Sequence, residues 1–266
     1  MSRLHNVFTE LKDERAALVT FVTGGDPQPA VTVPLLHALV EAGADVLEVG
    51  IPFSDPMADG PVIQMSHQRA LVHGTTLTDV LAMVASFRQQ NTRTPVVLMG
   101  YVNPVEAMGY DVFARACAGA GVDGVILVDL PPEEAGDWLA AARQAGVDRV
   151  FLLAPTSPPA RIARVGEVSS GFIYYVALKG VTGAAHLDIA DVESRLAVVR
   201  AHTRLPVGVG FGVQDAASAR ALGAVADAVI VGSALIRRLA AHEGGDAIAE
   251  ARSFVAGLRA ALPSRR

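Results

Sequence analysis

Residues 17–50 read ALVTFVTGGDPQPAVTVPLLHALVEAGADVLEVG. The stretch opens on a short apolar, β-branched run at residues 17–23 and passes through a Gly- and Pro-containing turn. It continues as a Leu- and Ala-rich amphipathic pattern that ends at Gly43, and a second apolar run follows at residues 45–50. Runs that are nearly continuous in apolar residues suit a parallel sheet covered on both faces. A helical pattern between two such runs makes a parallel βα unit, and a Gly just before the next strand is a common helix stop.

The unit repeats toward the C-terminus. Further apolar runs lie at residues 95–101, 124–130, 149–154, 172–178, 206–210 and 227–232, with stretches such as EEAGDWLAAARQAG between them. Eight βα units can close into a barrel. The rival is an open doubly wound sheet, which usually carries a G-x-G-x-x-G turn after its first strand. Here that turn reads TGGDPQP. No Pro-, Ser- or charge-rich linker divides the chain. The expectation is a single (β/α)8 TIM barrel over residues 1–266, with an extra N-terminal helix near residues 2–13 and a final helix near 245–262.

Composition narrows the function. The 266 residues are 51% hydrophobic and carry a net charge of −5 with no block of like charge. That balance lacks the basic footprint of a nucleic-acid binder. The lone Cys117 rules out a disulfide framework and reads as a buried helix residue. The start, MSRLHNVFTELKDER, lacks the apolar centre of a signal peptide, and no uninterrupted apolar stretch is long enough to span a bilayer. The expectation is a cytoplasmic protein that engages neither membrane nor nucleic acid. The seven histidines show no metal-ligand spacing, and His67 and His73 are six residues apart, which does not align them on a helix. No metal is expected.

Two connections are longer than the rest. PFSDPMADGPVIQ and two helical patterns separate the second and third runs, and KGVTGAAHLDIADVE separates the sixth and seventh. Long loops in a compact fold tend to be functional, and barrel active sites are built from the βα loops. Glu48 is the oddest residue among the runs, a carboxylate between Leu47 and Val49. Strand alternation points it away from both neighbours, toward either the helix layer or the lumen. Desolvation in either place raises its pKa toward neutrality and suits it to proton transfer; the bland reading is a structural Glu in a buried hydrogen-bond network. Asp55 and Asp59 sit in a loop stiffened by prolines, either as ordinary turn residues or as acids held at a set distance from a strand-end partner.

The second half carries a phosphate pattern. GVTGA, GVGFG and VGSAL follow the last three runs, and helix starts are expected near Gln214 and Ser233. Glycine lets backbone N–H groups approach an anion, and helix N-termini face it with positive partial charge. Phe21, Tyr101, Ile126, Tyr174 and Phe211 fall at or just after strand ends, where they could line an apolar slot for an aromatic ring.

Together the strings FVTGGDP, LEVGIPFSDPMADGPVIQ, GYVNP, LVDLPPEE, FIYYVALKGVTG, GVGFGV and VGSALI resemble the α subunit of tryptophan synthase, in the expected order and over nearly the whole chain. The resemblance implies a (β/α)8 barrel and a lyase that splits indole-3-glycerol phosphate into indole and glyceraldehyde 3-phosphate by retro-aldol cleavage. It implies Glu48 as the general acid/base and Asp59 as acceptor of the indole N–H. Phe21, Tyr101, Tyr174 and Phe211 would lie by the substrate. Gly183, Gly212, Gly232 and Ser233 would hold phosphate, and Thr182 would sit on a closing loop. Asp55 matches a residue of signalling to the partner. The implied assembly is an αββα heterotetramer in which indole passes to a β subunit carrying pyridoxal phosphate, with no cofactor in this chain. One departure from the family pattern is ALKGVTG, where Lys179 adds a cation before the loop.

Overall fold

The computed structural model describes residues 2–177, 188–210, 212–242 and 244–265. The chain begins with α1 (Arg3–Leu11), β1 (Ala17–Thr23), α2 (Pro29–Glu41), β2 (Val46–Gly50), α3 (Pro61–Val72) and α4 (Leu77–Arg88). It continues with β3 (Val96–Gly100), α5 (Val102–Met108), α6 (Tyr110–Ala120), β4 (Gly124–Leu127), α7 (Gly136–Ala145), β5 (Asp148–Arg149) and β6 (Leu152–Leu153). The last third holds α8 (Pro159–Val168), β7 (Ile173–Val176), α9 (Ile189–Arg200), β8 (Val207–Gly210), α10 (Ala216–Val225), β9 (Ala228–Val231), α11 (Ser233–Ala240) and α12 (Gly244–Ala261).

All ladders are parallel, in the order β5-β4-β3-β2-β1-β9-β8-β7-β6. The two ends of that order are neighbours in the chain. β5 pairs with β4, β6 pairs with β7, and Val150 and Phe151 join them. The Val150 N–H donates to Val125 O at 3.0 Å, and the Tyr174 N–H donates to Phe151 O at 3.1 Å. β5 and β6 are therefore two halves of one strand, which turns from one neighbour to the other and closes an eight-stranded barrel. The expected run at residues 149–154 is this split strand. The expected N-terminal and final helices are α1 and α12.

Side-chain alternation sorts the strands into two layers. Leu18, Leu47, Val49, Leu98, Ile173 and Val229 pack outward against the helices. Ala17, Val19, Val46, Val97, Ile126, Phe172, Ala228 and Ile230 fill the lumen. Leu4 and Phe8 of α1 join the lumen cluster from below, with the Phe8 ring 5.6 Å from that of Phe172. They lie four residues apart on one helical face, so α1 plugs the N-terminal end of the barrel.

A buried carboxylate fastens that plug. Asp123 precedes β4 and accepts from Arg3 Nη1 at 2.9 Å, from Arg88 Nη2 at 2.7 Å and from the Val96 N–H at 2.8 Å. Removing it leaves the Arg88 guanidinium, whose side chain is 10% exposed, without its counter-ion. Asp123→Ala is expected to lower stability by about 3–5 kcal/mol, measured by urea denaturation; a loss below about 1 kcal/mol would show that the cluster does not hold the plug.

Candidate active site

Glu48 has the same parity as Val46, which lies in the lumen, and the opposite parity to Leu47 and Val49. It therefore points into the barrel, between Phe21 of β1 and Val97 of β3 in register. The residue is 0% exposed, and neither carboxyl oxygen has a hydrogen-bond partner among the described residues. Among the described residues there is no buried hydrogen-bond network that would make Glu48 purely structural. Burial first, and the charge of Asp59 second, push its pKa up to about 8. At neutral pH the group is mainly a neutral acid that can give up a proton.

Asp59 stands over the lumen on the loop between β2 and α3. Its Oδ2 accepts from the Tyr101 hydroxyl at 2.8 Å, and that hydroxyl accepts from the Ala58 N–H at 3.0 Å. The Tyr101 ring stacks on Phe53 at 5.1 Å. The loop is tied again by Gln64 Nε2, which donates to Asp59 O at 2.8 Å. The Asp59 carboxyl is raised by burial, and the Tyr101 hydrogen bond and His67 pull it back. Tyr101, expected as an apolar wall, is thus also the clamp that orients Asp59.

His67, whose spacing in the sequence offers no metal site, has a different place in the structure. The fold brings it to Asp59. The ring is buried on α3; its Nδ1 accepts from the Phe53 N–H at 3.0 Å, and its Nε2 lies 3.8 Å from Asp59 Oδ2. Because Nδ1 accepts, the neutral ring carries its proton on Nε2, facing Asp59. Burial lowers the His67 pKa, against the charges of Asp59 and Asp26. The sequence signal that marks it is its place on α3, where it reaches back to the loop holding Asp59.

The aromatic residues divide. Ile126 lies in the lumen layer and Tyr174 packs against that layer. The Tyr174 phenol is raised by burial, then by the nearby Glu48 and Asp59. Gly210 leaves it room, because a Cβ there would collide with the Tyr174 hydroxyl. Phe21 packs beside Gly50 and Gly232 at the mouth. Asp55 is exposed and accepts from the Ser54 hydroxyl at 2.6 Å, away from the carboxyl pair. On the far rim, Gly212 has φ +82°, a left-handed conformation that favours glycine, ahead of α10, which begins at Ala216 behind an Asp215 cap. Gly232 caps α11 and Ser233 is its first residue, so the first N–H groups of α11 lack helical partners and open toward the mouth. Lys179, Thr182, Gly183 and Phe211 lie outside the described residues. Among the described residues no group of three His, Cys, Asp or Glu side chains could hold a metal ion, and no single helix is long and apolar enough to cross a membrane.

Comparison with known proteins matches this arrangement. The family described as tryptophan synthase alpha chain matches residues 8–261. The chain belongs to that family. The tryptophan synthase alpha chain of Burkholderia thailandensis is 57% identical over 263 residues, covering 98% of this chain and 97% of that one. The solved tryptophan synthase subunit alpha of Legionella pneumophila superposes with a TM-score of 0.89 at 40% identity, over 98% of each chain. A chain of Mycobacterium tuberculosis tryptophan synthase in its aminoacrylate-bound form gives 0.88 at 38% identity, over 99% of this chain and 100% of that one. The barrel is therefore that of the tryptophan synthase alpha chains, and the protein is a carbon–carbon lyase of tryptophan biosynthesis that cleaves indole-3-glycerol phosphate.

Within this tryptophan synthase alpha barrel, the raised pKa of Glu48 has a stability consequence. The folded state keeps the proton up to about pH 8, whereas the unfolded chain loses it near 4.5. Between those values the unfolded state binds fewer protons, so stability falls as pH rises, and the loss levels off above about 8. Glu48→Gln removes the titration. Its stability relative to the parent protein is expected to grow across this window in denaturation curves taken from pH 5 to pH 8; a difference independent of pH would mean that Glu48 is not held neutral.

Proposed function

We propose that Glu48 and Asp59 are the catalytic pair of the retro-aldol cleavage, with different tasks. The observation that carries this is a neutral, unpartnered Glu48 carboxyl in the lumen beneath an Asp59 carboxylate oriented by Tyr101. Glu48 gives its proton to indole C3, which turns the ring into an electron sink. The bond from C3 to the glycerol carbon breaks, its electrons move into the indolenine, and the hydroxyl on that carbon loses its proton as the aldehyde forms. The Glu48 carboxylate left by the first transfer takes up that proton, so the group ends as it began. Asp59 accepts the indole N–H and offsets the positive charge that develops on the ring. Both Tyr101 and His67 face its Oδ2, which leaves Oδ1 turned to the indole nitrogen.

The other roles follow from that placement. Phe21, Tyr174 and Phe211 would bound the indole slot. Phosphate would be held by backbone N–H groups at Gly183, Gly212 and Gly232 and by Ser233, the last two supported by the free N–H groups at the start of α11. Thr182 would act on a loop that closes over substrate, with Lys179 beside it. Residues 1–266 would work as one domain. The partner would be a tryptophan synthase β subunit in an αββα heterotetramer, bearing pyridoxal phosphate and receiving indole, with Asp55 on the signalling route; likeness to a chain of a solved tryptophan synthase supports that assembly. This chain would work without its own cofactor, in the cytoplasm.

Glu48→Gln is expected to lower kcat by about 100- to 10,000-fold with little change in KM. Wild-type turnover in that variant would end the assignment. Asp59→Asn should also lose turnover, because a neutral amide no longer offsets the charge on the ring.

His67 is a positioning residue in this reading. His67→Leu should lower kcat by about tenfold with KM nearly unchanged, the scale of one lost polar contact to a charged group. His67→Asn keeps an N–H donor and should recover most of that loss. If Leu and Asn behave alike in steady-state kinetics, the ring serves only packing.

A further inference from the structure

A cavity of about 900 Å³ opens at the end of the barrel opposite the catalytic mouth. Its position follows from its lining. Arg15, Gly171, Pro206 and Asp227 precede the strands they lead into, Asp148 opens β5, and His5, Phe8 and Thr9 line one face of α1, with Lys12 just past its end. Glu48, Asp59 and Ser233 take no part in it.

Charge sets this cavity apart from the rest of the chain. Five of its lining residues are Lys or Arg (Lys12, Arg15, Arg200, Arg204, Arg265) and two are Asp (Asp148, Asp227), a formal charge of 5 − 2 = +3 on a chain of net −5. Three of the arginines are already engaged: Arg15 with Asp45 at 2.6 Å, and Arg200 and Arg265 with a shared Asp227 at 3.1 and 3.8 Å. Lys12 and Arg204 have no carboxylate partner among the described residues and stand exposed at the rim. A concave surface of one sign focuses field and concentrates counter-ions.

The wall holds a second, independent signal. Ser169 is 8% exposed and its hydroxyl has no partner among the described residues; the Oδ2 of Asp148 is likewise shut off from solvent and without a partner among them. Buried polar atoms in folded proteins are nearly always satisfied. An ionised carboxylate only accepts, so Asp148 calls for a donor, and a serine hydroxyl can serve either way. The cavity therefore presents cations at its rim, with Phe8, Leu205 and Pro206 as apolar surface between them, and two unmet hydrogen-bonding atoms lie just behind its wall. The volume lies within the range of small-molecule sites.

We propose that this cavity is a second ligand site, for a hydroxylated phosphate monoester of the sugar phosphate class. The phosphate lies against Lys12 and Arg204, and the hydroxyls pair with Ser169 and Asp148 as those side chains turn out toward the ligand. Two negative charges on the head suit the two cations without a carboxylate partner, Lys12 and Arg204, and hydroxyls supply the donors that Asp148 lacks. The site is independent of the catalytic reading, because it shares no residue with it.

The test titrates the full-length, 15N-labelled chain with ribose 5-phosphate and follows amide shifts, with ribose and inorganic phosphate as separate probes. The expected result is saturable shifts at Ser169, Ser170, Gly171, Thr203, Arg204 and Leu205. Ribose alone should give none, and inorganic phosphate weaker binding at the same amides. The double variant Lys12→Glu with Arg204→Glu alters only exposed side chains and should weaken ribose 5-phosphate binding at these amides by at least about tenfold. Ser169→Ala should weaken it several-fold. Shifts confined to the amides around Gly212 and Gly232 would place the probe at the catalytic mouth alone and overturn the proposal. Unchanged affinity in the double variant, or shifts that do not saturate, would overturn it as well.

Discussion

A carboxyl group with no hydrogen-bond partner, enclosed in an apolar barrel, is the constraint on which the rest of the structure turns. An ionised Glu48 there would be costly, so the group answers by holding its proton to about pH 8. Every neighbour then has to tolerate a neutral acid that, in the proposed reaction, would become an anion during turnover. The lumen below is filled by Val46, Val97, Ile126 and other apolar side chains. The polar groups that respond to its charge, Asp59 and Tyr174, sit at the mouth. That asymmetry gives the proton one direction in which to be useful.

The two acids differ because their surroundings do. Both feel desolvation, but among the described residues only Asp59 has a donor to hold its anion, the Tyr101 hydroxyl, with the His67 ring 3.8 Å away. Two nearby carboxyls whose environments push them apart make an acid and an anion from chemically similar side chains. The loop carrying Asp59 is held rigid by Gln64 and by the stacked Phe53 and Tyr101. The geometry of the pair is therefore set before any ligand arrives.

The barrel was legible in the sequence because eight apolar runs alternate with helical patterns, and parallel strands covered on both faces leave that mark. The split of one strand into β5 and β6 was not. It rests on one short ladder from residues 148–149 to β4 and another from residues 152–153 to β7, pairings with distant segments that no local run records. Glu48 stood out by composition, but its direction was open until the lumen and helix layers could be told apart by parity. His67 and the second role of Tyr101 were illegible for a different reason. Both depend on the loop at residues 51–60 folding back over the lumen, which brings together residues 8 and 42 positions apart from Asp59.

The plug at the barrel floor belongs to the same account. Desolvation is the first cause of the raised Glu48 pKa, and it requires that water not rise through the lumen from below. Leu4 and Phe8 supply that seal, and the bond from Arg3 to Asp123 holds their helix in place. An N-terminal helix that touches no substrate thus contributes to the acidity of the group that would give its proton to the substrate, through the dielectric it maintains. The same helix leaves a charged cavity beside the seal, lined by Lys12 and His5 on the face adjoining Phe8. A ligand bound there would lie against the element that keeps Glu48 dry, so any shift it caused in α1 would reach the chemistry as a change in the pKa of one carboxyl group.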